Sequence, residues 1–112
     1  MHEMSITQSI VETVEERIPD ARVVRVRLTI GRLSGVSVPA LRFCFGPVTE
    51  GTGLEGAELL IDEPAGRLHC RTCGEEFTSD DVLAVCACGG LDLDVVSGQE
   101  LLIQSVEVLD HV

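Results

Sequence analysis

The segment CRTCGEEFTSDDVLAVCACGG, residues 70–90, decides the fold of this chain because it carries two close pairs of cysteines. The four thiols fall within nineteen residues, and a loop of twelve residues separates the two pairs. A zinc ion bound tetrahedrally by four thiolates needs two short chelating turns of this kind. The sequence therefore predicts a zinc-clamped module over residues 66–97, with the ligands Cys70, Cys73, Cys86 and Cys88.

The two cysteine pairs differ in their spacing. Two residues separate Cys70 from Cys73, whereas one residue separates Cys86 from Cys88, so the second pair would form a tighter chelate ring. Cys86 is therefore the ligand whose geometry stays open, and His69 is the alternative that could complete the site. Because the cysteine set is complete, a solvated His69 is favoured. A site closed by four thiolates leaves no position for a substrate, which indicates a structural role for the zinc.

Length and composition limit the classes to which the chain can belong. Its 112 residues suffice for one conventional core, or for one small core with a metal-stabilised subdomain. No apolar run approaches the roughly 20 residues of a membrane span, and the first residues lack the features of a secretion signal. We therefore expect a cytoplasmic protein with no membrane partner, in which reduced thiols favour metal binding over disulfides.

The charge balance argues against nucleic acid as a partner. The chain has 8 basic and 19 acidic residues, a formal net charge of −11. Such a surface repels phosphate and anionic membranes, and it suits cations and basic protein partners. With three Phe and no Trp or Tyr, the chain also offers few aromatic rings on which bases could stack.

Two helices are predicted from the apolar periodicity. The first covers residues 4–18, where apolar residues recur at every fourth position before a proline. The second opens at Ser37, with a proline where the first turn tolerates one. Gly46 and Pro47 are expected to kink this helix or to end it early, since Pro47 has no N–H to donate and crowds the preceding turn. Cys44, which lies between two phenylalanines, is expected in the core.

Three strands are predicted over residues 22–30, 57–63 and 100–109. In the first strand, apolar residues alternate with polar ones. This alternation indicates one buried face, formed by Val24, Val26, Leu28 and Ile30. The last strand is expected to return to the sheet of the first two.

The predicted class is α+β, a small mixed three-stranded sheet packed by two helices with an inserted zinc-ribbon-like subdomain. The corresponding domains are an α/β domain of residues 1–65 plus 98–112 and a zinc-binding domain of residues 66–97.

The amino terminus forms a second candidate metal site. The Met1 α-amine and the His2 amide nitrogen would close a five-membered chelate ring, and that amide nitrogen and the His2 imidazole a six-membered one. The Glu3 amide nitrogen could complete a plane of ligands. Square-planar nitrogen ligation of this kind suits Ni(II) or Cu(II). The alternative is that a histidine stands at position 2 by chance, as it does in many proteins.

Several segments together resemble the HypA/HybF family of hydrogenase-maturation nickel proteins. They are the start MHEMSI, the cysteine module, and the segments VRLTIGRLSGV and VTEGTGLEGAEL at residues 26–36 and 48–59. The resemblance extends over essentially the whole chain. Two departures stand out: the Cys86–Cys88 pair is one residue shorter than usual, and the Gly46-Pro47 pair falls where the family continues its helix.

This resemblance implies a nickel metallochaperone that is not an enzyme. Nickel, as transferred cargo, would bind Met1, His2 and the backbone at Glu3, and structural zinc would bind the four cysteines. The implied partners are a HypB-type GTPase and the precursor of the [NiFe] hydrogenase large subunit, with urease as a further possible client. The chain would be a monomer or a dimer.

Three other functions are compatible with the cysteine cluster. The first is a zinc-ribbon scaffold that binds proteins without transferring nickel. The second is a zinc ribbon for nucleic acid, against which the charge argues. The third is a thiol oxidoreductase built on Cys70 and Cys73, which the second pair of thiols disfavours.

Overall fold

The computed structural model describes residues 2–81 and 83–109. The described residues form two helices, α1 (His2–Arg17) and α2 (Val38–Thr49), and six strands: β1 (Val23–Ile30), β2 (Glu58–Asp62), β3 (Gly66–Cys70), β4 (Glu76–Ser79), β5 (Leu93–Ser97) and β6 (Leu101–Val108). The strands form two three-stranded sheets in the orders β2-β1-β6 and β4-β3-β5. The α+β class is therefore confirmed, and the last strand returns beside the first, as predicted.

The chain divides into two compact units. The first takes in the described parts of Met1–Leu28, Val36–Ile61 and Ile103–Val112, and the second takes in those of Thr29–Gly35 and Asp62–Leu102. Both helices belong to the first unit, while the sheet β4-β3-β5 and the clustered cysteines belong to the second.

In the first unit, α1 and α2 pack against each other. The buried positions of α1 recur every three or four residues, which is the spacing that puts side chains on one face of a helix. Cys44 on α2 is buried, as predicted. The buried apolar side chains described in this unit are Ile10, Val11, Val14, Val23, Val26, Leu28, Leu41, Cys44, Phe45 and Leu54.

The predicted alternation in β1 is wrong at its start. Val24 is 42% exposed, whereas Val23 is 2% exposed. The Val23 N–H donates to the Gly53 carbonyl at 2.8 Å, and Val23 lines a small cavity beside Val14. This position at the strand end gives Val23 an apolar environment that the period-2 pattern alone does not reveal.

Of the two outcomes expected at Gly46 and Pro47, a kink or an early end, the early end does not occur, because the helix continues through both residues to Thr49. Pro47 lies in the last turn, so its missing N–H removes a bond near the end of the helix. Gly46 has no Cβ to meet the proline ring, which reduces the clash that disfavours helical backbone before proline. The Thr49 hydroxyl lies 2.7 Å from the Phe45 carbonyl oxygen and 3.1 Å from the Gly46 carbonyl oxygen, so its single proton can be donated to an acceptor in the last turn.

The segment of residues 29–35 is joined to the rest of the second unit by backbone hydrogen bonds. The Gly31 N–H donates to the Glu100 carbonyl at 2.8 Å, and the Leu33 N–H donates to the Gly98 carbonyl at 2.7 Å. A Cβ atom at Gly31 would lie 2.0 Å from the Gly98 carbonyl oxygen. Glycine is therefore required at position 31 by the close approach of two backbone segments.

We predict that Gly31→Ala lowers the free energy of unfolding by about 2–4 kcal/mol, because backbone must shift to admit the methyl group. Gly35→Ala is the matched control: its φ of 79° disfavours a side chain, but nothing lies within 4 Å. It should cost about 1 kcal/mol. Urea unfolding of both variants at saturating zinc measures the difference, and equal losses would contradict the packing argument.

Candidate metal centres

Four thiols come together in the second unit. The sulfur atoms of Cys70, Cys73, Cys86 and Cys88 lie within 4.8 Å of one another. The Cys70 and Cys88 sulfurs are 3.7 Å apart, and those of Cys73 and Cys86 are 3.6 Å apart. With Zn–S bonds of about 2.3 Å, the edge of a tetrahedron is ~3.8 Å, so the four sulfurs fit a zinc ion. Cys86 thus joins the other three, whereas His69 on β3 does not belong to the group.

Each cysteine pair sits on a turn that ends in a left-handed glycine. After the first pair, the Gly74 N–H donates to the Cys70 carbonyl at 2.8 Å, and after the second, the Gly89 N–H donates to the Cys86 carbonyl at 2.8 Å. The φ angles of these glycines are 81° and 87°. The first bond spans four residues and the second spans three. The missing residue in the second pair is therefore absorbed by a tighter turn, and both sulfurs of that pair still reach the cluster.

Gly90 keeps space beside the sulfurs. A Cβ atom at this position would lie 3.0 Å from the Cys70 sulfur and 3.2 Å from the Cys88 sulfur. The Gly90 N–H also points toward the Cys88 sulfur, at 3.3 Å. The glycine therefore contributes an N–H donor to a thiolate without crowding the ion that the thiolate would bind.

The four thiols differ in their pKa values when no cation is bound. The Cys73 N–H is the main group that lowers the pKa of Cys70, to about 6. Backbone N–H groups also act to lower the pKa of the other three thiols, yet neighbouring sulfurs and burial raise each of those pKa values overall. Four thiolates so close together repel one another, and a bound dication removes that repulsion. The cluster is therefore suited to hold a cation.

Two of the four cysteines are buried and two are exposed. Cys70 and Cys86, the first residue of each pair, are buried, whereas Cys73 and Cys88 are exposed. A tetrahedral ion bound by all four sulfurs would leave no open position for a substrate, which is the coordination typical of structural sites.

The second candidate site lies at the start of α1. Met1 lies outside the described residues, and nothing further is said of its placement. His2 is exposed and is the first residue of the helix. The first N–H groups of a helix have no acceptor within it, so the amide nitrogens of His2 and Glu3 take no part in the helical bonds of α1. A metal ion could bind them without breaking the helix.

The Glu3 side chain has a role that sequence reasoning missed. It is 7% exposed, and its carboxylate accepts a hydrogen bond of 3.0 Å from the Ser37 N–H. Ser37 is the N-cap residue of α2, where its hydroxyl accepts from the Ala40 N–H. The carboxylate therefore connects the first turns of the two helices. No local pattern could have revealed this contact, because 34 residues separate its partners.

Glu3 also faces the imidazole of His2. The His2 Nε2 atom lies 3.6 Å from a carboxylate oxygen of Glu3. This separation exceeds hydrogen-bond length, so the contact does not fix which ring nitrogen carries the proton, and Nδ1 is available as a metal ligand in one of the two tautomers. This is the nitrogen that closes a chelate ring with the amide of the same residue.

The bond from the Ser37 N–H is the main cause that lowers the pKa of Glu3, from its ordinary value of 4.5 to about 2. The charged carboxylate therefore stabilises the fold above pH 4.5, and this contribution is lost as the pH falls from about 4.5 to about 2.

Comparisons with known proteins identify relatives over almost the whole chain. The family model described as hydrogenase/urease nickel incorporation, metallochaperone, HypA matches residues 1–108. The hydrogenase maturation factor HypA of Nostoc punctiforme is 47% identical over 108 residues, which cover 96% of both chains. That of Geobacter metallireducens is 49% identical over 109 residues, which cover 96% of this chain and 99% of the relative.

A solved structure is also similar. The solution structure of the Ni metallochaperone HypA from Helicobacter pylori matches with a TM-score of 0.66 at 26% identity. The match covers 99% of this chain and 100% of that one. Among the described residues, neither helix is long and apolar enough to cross a lipid bilayer.

We predict that Ser37→Pro raises the pKa of Glu3 toward 4.5, because proline removes the N–H that the carboxylate accepts. Ser37→Ala is the matched control, since it removes the capping hydroxyl but keeps the N–H, and it should leave the pKa of Glu3 near 2. A ¹³C NMR titration of the carboxyl groups, with no metal bound at the amino terminus, measures the pKa of Glu3 in both variants. Equal pKa values in the two variants would show that the Ser37 N–H is not the cause.

Proposed function

We propose, since the chain belongs to the HypA family of nickel-incorporation metallochaperones, that it binds Ni(II) at its amino terminus and delivers the ion to the precursor of the [NiFe] hydrogenase large subunit. The observation that carries this proposal is the arrangement at the start of α1. There, amide nitrogens outside the helical bonds and the exposed His2 imidazole lie on consecutive residues.

The proposed nickel ligands are the Met1 α-amine, the amide nitrogen and imidazole of His2, and the amide nitrogen of Glu3. These nitrogens form adjoining chelate rings, which favour a square plane and hence Ni(II) over Mg²⁺ or Ca²⁺. Amide nitrogens must lose a proton to bind, so nickel affinity is expected to rise with pH. A site that releases its metal on acidification or to a stronger ligand is appropriate for a carrier.

Zinc is proposed as a structural ion at Cys70, Cys73, Cys86 and Cys88. The support for this assignment is the sulfur spacing, which matches a tetrahedron of thiolates, and the two glycine-terminated turns that produce it. The soft thiolates and the nitrogen terminus differ in their preferred metals, so two ions can be kept apart on one chain.

The chain is proposed to act as a carrier and not as an enzyme. Its sequence has no phosphate-binding glycine loop, so any GTP hydrolysis during delivery would belong to a partner, for which a HypB-type GTPase is proposed. The cytoplasm is the proposed location, because free thiols that bind zinc require a reducing compartment. A zinc scaffold that binds proteins without transferring nickel is the competing function.

Nickel titration of zinc-loaded protein separates these two functions. We expect His2→Ala to weaken nickel binding by more than about a hundredfold, because it removes the imidazole ligand. An additional residue before Met1 should have a similar effect, since it converts the α-amine into an amide.

His69→Ala is the control for this titration, because it removes an imidazole that lies in the second unit. Calorimetry should show its nickel affinity to be that of the wild type. If His2→Ala and the wild type bind nickel equally, the amino-terminal site is wrong and the scaffold function gains support.

We predict that Cys73→Ser destabilises residues 66–97 and leaves α1 and α2 folded, because the loss of one thiolate opens the zinc site of the second unit. Cys44→Ser is the control, since Cys44 lies in the core of the first unit. Hydrogen exchange with mass spectrometry should show faster exchange over 66–97 in Cys73→Ser alone. Unchanged exchange there would contradict a structural zinc ion.

A further inference from the structure

A cleft runs along the outside of the helix pair in the first unit. Its volume is about 590 Å³, and its apolar lining comes from both helices: Met4, Val11, Pro47 and Val48. Val11 is buried and forms the floor, whereas Met4 remains 42% exposed. The cleft therefore presents an apolar surface to a partner and is not filled by the described side chains.

The two helices lie side by side and run in the same direction. Glu3 of α1 contacts Ser37 at the start of α2, while Glu15 of α1 lines the cleft together with Thr52, which follows α2. From Met4 to Glu15, α1 rises by about 17 Å, which corresponds to roughly three helical turns. The cleft has the length of a short helix.

An exposed aromatic residue lies next to this cleft. Phe43 is 82% exposed and stands four residues before Pro47, so both lie on one face of α2. Exposed aromatic side chains of this kind often anchor protein interfaces. Phe43 does not line the cleft, but it offers an exposed apolar side chain one helical turn from Pro47, which does.

Carboxylates border the cleft on the side of α1. Glu12 and Glu15 line it and also line a neighbouring depression with Glu16 and Asp20. In the described part of the chain, none of these four carboxylates forms an ion pair with a basic side chain. Carboxylates elsewhere do: Glu58 pairs with Arg25 at 2.6 Å. The acidic border is thus free to attract cations from a partner.

We propose that this cleft binds a basic amphipathic helix of a partner protein. A groove between two packed helices receives a third helix by the same packing of ridges into grooves. An extended strand would need free backbone donors and acceptors, which helical bonds already occupy along the cleft walls. The apolar face of the partner would cover Met4, Val48 and Phe43, and its Lys or Arg side chains would face Glu12 and Glu15.

A second copy of this chain is a less suitable occupant. With 19 acidic and 8 basic residues, a contact between two copies of α1 would place carboxylates against carboxylates. The proposal does not depend on nickel binding. Because α1 begins at His2, however, a helix bound in the cleft would end close to the proposed nickel ligands.

The test uses a synthetic leucine–lysine peptide of about three helical turns as the probe. Amide NMR of the ¹⁵N-labelled, zinc-loaded chain should show shift changes concentrated in residues 4–15 and 43–52, which weaken as salt is added. A peptide with glutamate in place of lysine should not bind. Equal binding of both peptides, or shift changes centred on the exposed Leu83 and Leu91, would overturn the proposal.

Variants sharpen the test. Glu12→Lys with Glu15→Lys should weaken binding of the lysine peptide about tenfold, whereas Glu63→Lys with Glu75→Lys, the same charge change on exposed residues of the second unit, should change it less than about twofold. Phe43→Ser should weaken binding without altering the fold, since Phe43 is exposed.

If the two charge-reversed variants weakened peptide binding equally, the interaction would depend only on net charge, and the proposal would be overturned. Shift changes at the cleft that depend on protein concentration without peptide would assign it to a second copy. Nickel titration of Glu12→Lys/Glu15→Lys keeps this result separate from the proposed function, because its amino-terminal affinity should stay that of the wild type.

Discussion

The mutual approach of four sulfur atoms is the constraint on which the second unit depends. Besides cysteines, the described buried apolar side chains of this unit are Ile30, Leu33 and Leu68. So small an apolar core contributes little, since complete burial of one such side chain stabilises a fold by about 1.5–3 kcal/mol. Although backbone N–H groups act to lower it, neighbouring sulfurs and burial raise the pKa of three of the thiols, so four bare thiolates together are unfavourable and a bound dication would stabilise them.

The first unit is held by a different interaction. Its helices bury a continuous apolar surface, and the contact of Glu3 with the Ser37 N–H aligns their first turns. That contact also places a carboxylate near His2, so the side chain that joins the two helices lies next to a candidate ligand. A rigid element that supports a metal ligand reduces the ordering that metal binding must otherwise impose.

Much of the fold followed from the sequence because its signals are local. The apolar spacing of α1, the strands of the first sheet and the cysteine pairs each depend on residues a few positions apart. The helix and the strands were confirmed, and the four cysteine sulfurs lie together, while their role as zinc ligands stays a prediction. The errors arose where distant residues decide the outcome. The end of α2 is a local exception, because the Thr49 hydroxyl lies beside carbonyls three and four residues earlier. Val23, in contrast, is buried beside residues of another segment. The Glu3–Ser37 contact was missed for the same reason.

The surface around the helix pair has features that neither candidate metal site explains. An exposed phenylalanine and a row of carboxylates that form no ion pair within the described part of the chain cost little in an isolated protein, but they gain nothing for its stability. A carrier must meet the protein that receives its cargo, and it must do so without covering the ligands that release the ion. A cleft that begins within one turn of His2 meets both requirements, because a helix bound there leaves the first residues of α1 at its end. Electrostatic attraction along the acidic border would speed the encounter, while the apolar lining would determine how long the complex lasts.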